Sequence, residues 1–443
     1  MKRRYKFLGG VLVGLGIVLI CGGIYLFNNS LITIYHPKAY ESSGNMRLDK
    51  KLSSKEAKED IDQIINTIED THPIFLEKVP ESYNKAKYEL LKKQSEETSV
   101  GQLQIELNRY LASIQDGHTH TFWNEGKWLD VNWKYINNKL ILLDKDNNIT
   151  NKEVIMINDK KIDQIIKFIK DIFPSENYMA SEKNSFIYSK SSLILENLGI
   201  DTSHKVSAII RDIDKNKEEV MSLGYTNDQE KKFNNYEISS EKIDKNTIYI
   251  KLGICEENEQ LDKVVKELKK SMKDSVKNVI IDVRDNPGGN SNACSKLLDA
   301  INIVPGNFGA TIRFSKLAQE RFGYAKSHGY VIYDRRNEVV KNEDINLYVL
   351  TNENTFSSAQ WLATWIQDGK LGIIVGQGSS NMPSSFGDVI TFQLNNSKIE
   401  CQVSYKKWLR PDVSKDSERT LEPDVKVEYN KDSLEKTLEL INS

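Results

Sequence analysis

Apolar positions along the chain change their rhythm in three stages. Between Ser53 and Asp116 they recur every three or four residues, as on the buried face of a helix. Ile61, Ile64, Ile65 and Ile68 mark a first helix, which His72-Pro73 ends. Ser54 is the expected N-cap, with Ala57 three positions on, so the capping box is incomplete. The spacing predicts a second helix over Ser82–Gln94 and a third over Val100–Ile114, with Leu103, Leu107 and Leu111 along one face. From Phe122 to about Ile238 the pattern is mixed. Short strands at Lys139–Leu143, Val154–Ile157 and Val206–Ile210 alternate with helical pieces. From Asn246 the rhythm is that of an α/β unit. It gives a strand at Ile248–Ile254 and a helix carrying Leu261, Val264, Val265, Leu268 and Met272. A strand at Val279–Val283 and a helix near Ser291–Ile301 follow. Then come a strand at Leu347–Leu350, a helix ending at Asp368, a strand at Ile373–Gly376 and a short helix at Leu434–Ile441.

Ahead of these elements stands an uncharged apolar run, Phe7–Phe27, preceded by Lys2, Arg3, Arg4 and Lys6. Its twenty-one residues make a helix of about 31 Å, enough to cross a bilayer. The basic residues precede the span and predict a cytoplasmic N-terminus, with the remaining chain outside. No small-residue cleavage site follows the run, so an uncleaved signal anchor is expected. The expected organisation is a basic segment at 1–6, a transmembrane anchor at 7–27 and a linker at 28–50. A helical subdomain at 51–121, a mixed α/β region at 122–240 and an α/β core at 241–443 follow.

Composition narrows the function classes. Lys and Arg number 61 against 63 Asp and Glu, a net charge of −2, so nothing favours nucleic acid as a partner. Beyond Cys21 of the span, three cysteines remain: Cys255, Cys294 and Cys401. An odd number argues against a disulfide framework, and the spacing fits no zinc pattern, leaving buried thiols.

Three stretches carry candidate chemistry. Asn278-Val-Ile-Ile-Asp-Val-Arg-Asp-Asn-Pro-Gly-Gly-Asn290 is a buried strand ended by Pro287-Gly288-Gly289. Two bare glycines let backbone N–H groups approach a ligand, one way to build an oxyanion hole; a plain β-turn-α connection is the other reading. Ser357 and Ser358 lie at a strand-to-helix junction. A serine there either caps the helix or acts as a nucleophile beside helix N–H groups. In Asp116-Gly-His-Thr-His120, Gly117 is the expected C-terminal cap of the third helix. His118 either favours that helix's dipole or serves as a general base near neutral pH. His118 and His120 as a pair of metal ligands have no acidic partner nearby at ligand spacing.

Together these stretches resemble the C-terminal processing (tail-specific) serine peptidases and the tricorn core protease. Asp282-Val-Arg-Asp-Asn-Pro-Gly-Gly289 is similar to that family's Asp-x-Arg-x-Asn-x-Gly-Gly. Thr355-Phe-Ser-Ser-Ala-Gln360 resembles its nucleophile turn, with Gln360 in place of a Glu. Val375-Gly376-Gln377 resembles its Val-Gly-Glu strand end, and Leu421-Glu-Pro-Asp-Val425 its closing Pro-Asp signature. The resemblance covers about Ile248–Val427 strongly and Ser53–Trp123 more loosely. It implies an α/β fold with a crotonase/ClpP-like spiral β-sheet core, and hydrolysis of polypeptides with no cofactor and no metal. The tail-specific lysine, 25 residues after the nucleophile, falls here on Met382, so a Ser–Lys dyad is absent. The tricorn branch uses a histidine, a serine and a distant glutamate instead. Asp116-Gly-His118 matches its histidine segment, with Gly117 where the serine stands. The resemblance therefore implies Ser357 as nucleophile, His118 as base (His120 in reserve) and Glu418 as the supporting carboxylate. It puts the oxyanion at the N–H groups of Gly288 or Gly289 and Ser358. Gly117, Gln360 and Met382 leave open an inactive relative that binds peptides or apolar ligands. Substrate identity and oligomeric state are not legible.

Overall fold

The N-terminal helices do not close a core of their own. The computed structural model describes residues 31–123, 127–227, 236–274 and 276–443. The run at 7–27 lies outside these; among the described residues no helix is long and apolar enough to cross a membrane. Helices α1 (Ser54–Thr71), α2 (Glu81–Lys92) and α3 (Val100–Ala112) follow the predicted periodicity. The cap of α1 is Ser53, whose Oγ accepts from the Glu56 N–H while Glu56 reaches back to the Ser53 N–H. The capping box is complete, one residue earlier than expected. Ile61, Ile64 and Ile68 pack with Ile390, Phe392 and Val403, which come from more than three hundred residues later. The segment 51–121 thus shares its core with part of 241–443.

The middle region forms an antiparallel sheet. Its strands are β1 (Trp133–Ile136), β2 (Lys139–Leu143) and β3 (Ile149–Ile157), followed by helices α4 (Ile162–Ile172) and α5 (Tyr178–Tyr188), then β4 (Val206–Asp212) and β5 (Lys217–Leu223). The order is β5-β4-β3-β2-β1, with Lys160–Lys161 added to β3. The five isoleucines of α4 are all buried on the resulting core.

The remaining chain builds two more sheets. One runs β6 (Ile238–Lys242), β7 (Thr247–Leu252), β8 (Asn278–Asp282), then β11 (Asn346–Thr351), β12 (Ile373–Gly376) and β15 (Val425–Lys426), parallel except for β6. Helices α6 (Glu259–Lys273), α7 (Asn292–Ala300) and α8 (Ser358–Gly369) pack on one face, and α9 (Ser433–Asn442) on the other. Every residue of β8 is buried, as a central parallel strand covered on both faces requires. The other sheet orders β10 (Tyr330–Tyr333), β9 (Gly309–Arg313), β14 (Glu400–Leu409) and β13 (Phe386–Gln393). His120–Thr121 pairs with β14 at Cys401 and Gln402, which fixes the loop after α3 against this sheet. Cys255, Cys294 and Cys401 are buried free thiols.

Candidate active site

The candidate residues gather where the parallel strands end, the side on which open α/β sheets hold ligands. Beyond β8 the chain turns through Gly288 and Gly289, at φ 100° and 128°. Asp282, Arg284 and Asn286 hold this turn. Asp282 is fully buried and accepts from Arg284 Nε at 3.0 Å and from the Tyr249 hydroxyl at 2.7 Å. Asn286 donates through Nδ2 to the Leu252 carbonyl at 2.6 Å, and its Oδ1 accepts from the Gly288 N–H at 2.8 Å. The Phe356 N–H donates to the Asn286 carbonyl, tying this turn to the one beyond β11.

Ser357 stands at the start of α8 with φ 51° and ψ −123°, and makes no side-chain cap bond. The capping reading therefore fails. A non-glycine residue in that region costs on the order of 1–3 kcal/mol, and such strain collects at functional sites. Its neighbour Ser358 donates its hydroxyl to the Gly289 carbonyl at 2.7 Å. The Ser357 N–H donates to Asn381 Oδ1 at 3.0 Å. Gly288 is glycine for space: a Cβ there would lie 2.5 Å from the Ser357 Cβ. At Gly289 it would meet the Cys255 carbonyl oxygen at 2.2 Å.

The oxyanion assignment is corrected in one respect. The Gly288 N–H is committed to Asn286, so it is not a free donor. Among the described residues nothing accepts from the N–H of Gly289 or of Ser358.

His118 lines the same cavity as Ser357, about 490 Å³, together with Gly289, Trp361, Asn381, Phe386 and Trp408. Neither ring nitrogen of His118 has a hydrogen-bond partner among the described residues. Nδ1 lies 3.7 Å from an Asp116 oxygen and 3.9 Å from a Glu176 oxygen. Burial disfavours the imidazolium, but the Asp116 carboxylate, with Glu176 and Asp388 behind it, outweighs burial and raises the pKa of His118. Asp116 is fully buried and accepts from the His118 N–H, the hydroxyls of Thr119 and Ser404, and His72 Nε2. Burial alone would raise its pKa; His118 and His72 hold it well below the usual carboxylate range.

Glu176 was not legible in the sequence. It sits between α4 and α5, in the region read only as mixed structure, and no motif surrounds it. Its carboxylate accepts from the Gly117 N–H at 2.9 Å, Asn381 Nδ2 at 2.6 Å and the Met382 N–H at 2.7 Å. Burial, then the Asp116 charge, push its pKa up. Met382 thus contributes a backbone N–H and no side-chain base. Gly117 does not cap a helix: α3 ends at Ala112, and Gln115 takes the left-handed conformation at φ 58°. Gly117 is a point of close approach, where a Cβ would lie 3.1 Å from Glu176 and 3.2 Å from the Phe356 ring.

Two further expectations are corrected. Glu418 is not at the imidazole. It is bound to the buried Arg410, which donates to it at 2.7 Å and also holds Asp368. Full burial of a guanidinium demands paired carboxylates, and Glu418 is one of them. His120 points away from Ser357 into another cavity. Its Nδ1 lies 2.9 Å from the Thr121 carbonyl and its Nε2 3.1 Å from Gln402 Nε2. His118 and His120 therefore do not form a metal pair. Asp116, His118 and Glu176 do bring one ligand atom each within 4.8 Å of one another, a donor set of cation-site size. Both carboxylates, however, are already engaged by several donors.

Residues 246–427 match the family model for Peptidase family S41. The chain carries an S41 peptidase core. S41 peptidases are serine-type hydrolases of peptide bonds, and the match spans every strand of the parallel sheet after β6. Among solved structures, mature CPAF complexed with lactacystin aligns at 14% identity and a TM-score of 0.59, covering 84% of this chain and 94% of that one. Mature CPAF alone aligns at 13% and 0.58, over 84% and 92%. The photosystem II D1 C-terminal processing protease aligns at 13% over 84% and 93%, with a TM-score of 0.45. At such identities the likeness to CPAF shows that the fold around the S41 core is shared. Among curated proteins, none matches the sequence.

Proposed function

We propose that this chain is a membrane-anchored serine endopeptidase that cleaves polypeptides through an acyl-enzyme, with Ser357 as nucleophile and His118 as base. The observation that carries the reading is the pairing of two unusual groups in one cavity. One is a serine at a helix start that caps nothing; the other is a buried imidazole with both nitrogens unpartnered. Nδ1 is turned towards two carboxylates, which leaves Nε2 to take the serine proton.

Ser357 Oγ attacks the peptide carbonyl carbon, and His118 Nε2 removes the hydroxyl proton. The negative charge on the carbonyl oxygen is met by the N–H groups of Gly289 and Ser358; losing one such donor costs about 3 kcal/mol in comparable sites. As the tetrahedral species collapses, the C–N bond breaks and His118 gives its proton to the leaving amine. Water then enters, His118 takes one of its protons, and the ester is hydrolysed to the free acid and Ser357. Asp116 and Glu176 flank Nδ1 and stabilise the imidazolium that forms in each half-reaction, the role that the resemblance gave to Glu418. Anchoring rests on the apolar run 7–27 and the basic residues before it, which put the peptidase core on the extracytoplasmic side.

A fluorophosphonate probe tests the reading on the full chain. Ser357 is expected to be labelled, Ser357→Ala to abolish labelling and His118→Ala to slow it at least a hundredfold. Labelling that persists unchanged in His118→Ala overturns the choice of base; labelling of another serine overturns the nucleophile.

A further inference from the structure

Behind the wall that holds His118 lies a second cavity of about 190 Å³. Phe356 separates the two. Its ring lines this second space and packs against His118, tilted by 36° with centroids 4.6 Å apart. The walls are largely apolar, formed by Phe173, Ile187, Tyr188 and Phe356. The volume has room for about six waters, or for one side chain.

Two side-chain donors in these walls have no hydrogen-bond partner among the described residues. Lys183, on α5, makes no hydrogen bond or ion pair with any described residue; its Nζ stands 5.5 Å from the centre of the Phe356 ring. Ser380 is 2% exposed and its Oγ has no partner among the described residues. The other ionisable group of the cavity, His120, is already engaged through both nitrogens. The acids that act on Lys183 through space are engaged elsewhere. Glu353 pairs with Lys134 at 2.7 Å, and Asp285 accepts from Asn352 and Asn354.

Lys183 is half-buried with no carboxylate at ion-pair distance among the described residues, and desolvation, only partly offset by the more distant Glu353 and Asp285, lowers its pKa. One carboxylate would answer both unmet donors. Lys183 supplies the charge and Ser380 an O–H, while the aromatic walls take an apolar stem.

We propose that this cavity is a subsite for one carboxylate of the polypeptide bound at Ser357, carried either on an acidic side chain or at the C-terminus. The proposal rests on the peptidase reading for its occupant. Lys183 is then a specificity residue. Ser380 adjoins Asn381, which accepts the Ser357 N–H and donates to Glu176. A carboxylate seated on Ser380 therefore loads the same loop that braces nucleophile and base.

The test is binding to the full-length Ser357→Ala protein, which needs no turnover. Four fluorescein-labelled peptides share one apolar sequence. One ends in a free acid, one in an amide, and two are amides carrying a single internal Glu or Gln. Fluorescence anisotropy is expected to show a charged member binding about tenfold tighter than its neutral counterpart. Acid against amide, or Glu against Gln, identifies the source of the carboxylate. Adding Lys183→Met should bring that ratio close to one while the neutral peptides bind as before. Lys183→Gln serves if the methionine variant does not fold, and Ser380→Ala should lower the ratio about threefold. Ratios below twofold for both pairs, a ratio unmoved by Lys183→Met, or no binding of any peptide would overturn the subsite. Labelling of Ser357 in the unmutated protein, measured separately, keeps failure of the subsite distinct from failure of the peptidase reading.

Discussion

Replacing Glu176 by glutamine separates a carboxylate that tunes the base from one that merely props a loop. Glu176 Oε1 lies 3.9 Å from His118 Nδ1. At an effective dielectric constant of 20, unit charges about 4 Å apart interact by roughly 4 kcal/mol. At 1.36 kcal/mol per pH unit this is an upper limit of about 3 units on the His118 pKa. Asp116 remains at 3.7 Å, and the raised pKa of Glu176 itself weakens its hold, so the working figure is about one unit. The direction is fixed by sign. The carboxylate favours imidazolium, so its removal lowers the His118 pKa, and the neutral, base-active ring appears at lower pH. The rate at which a fluorophosphonate modifies Ser357, followed against pH, should therefore shift its acid limb downward by about one unit. The plateau should fall about 10- to 100-fold, because the imidazolium formed during attack has lost a charge partner. Whichever way it turns, the amide also presents its NH2 to a donor that the carboxylate accepted, at the least the Gly117 N–H, and each orphaned donor costs about 1–3 kcal/mol. Thermal melting is measured on the same samples, and the kinetics are taken where both proteins are folded. An acid limb that stays in place in a folded Glu176→Gln protein would refute the reasoning.

Gly288→Ala should abolish labelling of Ser357 while leaving the protein folded, because the added methyl lies 2.5 Å from the Ser357 Cβ at a backbone φ of 100°; circular dichroism and probe labelling check the two halves. Glu418→Gln should change the labelling rate less than threefold, because its partner is Arg410 and not His118; a hundredfold loss would restore it to the site. Ser357→Gly should raise the melting temperature by about 2 °C while removing all labelling, because glycine relieves a φ of 51°. An unchanged or lower melting temperature would count against stored strain.

The parallel sheet was legible because its strands are short β-branched runs with nothing else to be. Ile373–Gly376 was bounded to the residue, and Val279–Val283 to within one. The glycine turn and the serine turn were legible as motifs, and the structure adds why each residue is needed. Asn286 consumes the Gly288 N–H, and Gly288 makes room for Ser357. Glu176 was not legible, since a lone glutamate between two helices has no periodicity and no neighbour to mark it. Glu418 was misread because nearness to a Pro-Asp signature says nothing about a guanidinium eight residues earlier. Gly117 was misread because a glycine after a helix has two uses, and only packing against Phe356 tells them apart. Strands β13 and β14 went unpredicted because Gly387, Asp388 and Thr391 in the one, and Gln402, Ser404, Lys406 and Lys407 in the other, blur their apolar alternation.

The serine and the imidazole stand 239 positions apart in the polymer (357 against 118), and the loop that carries the imidazole is held by the pairing of His120–Thr121 with late strand β14. A nascent chain that has made only its first helices holds a base with nothing to activate. One whose helices have come away holds a serine with nothing to accept its proton. In the mechanism proposed, hydrolytic power is thus a property of completed assembly, and a half-built copy is harmless to its own neighbours during synthesis.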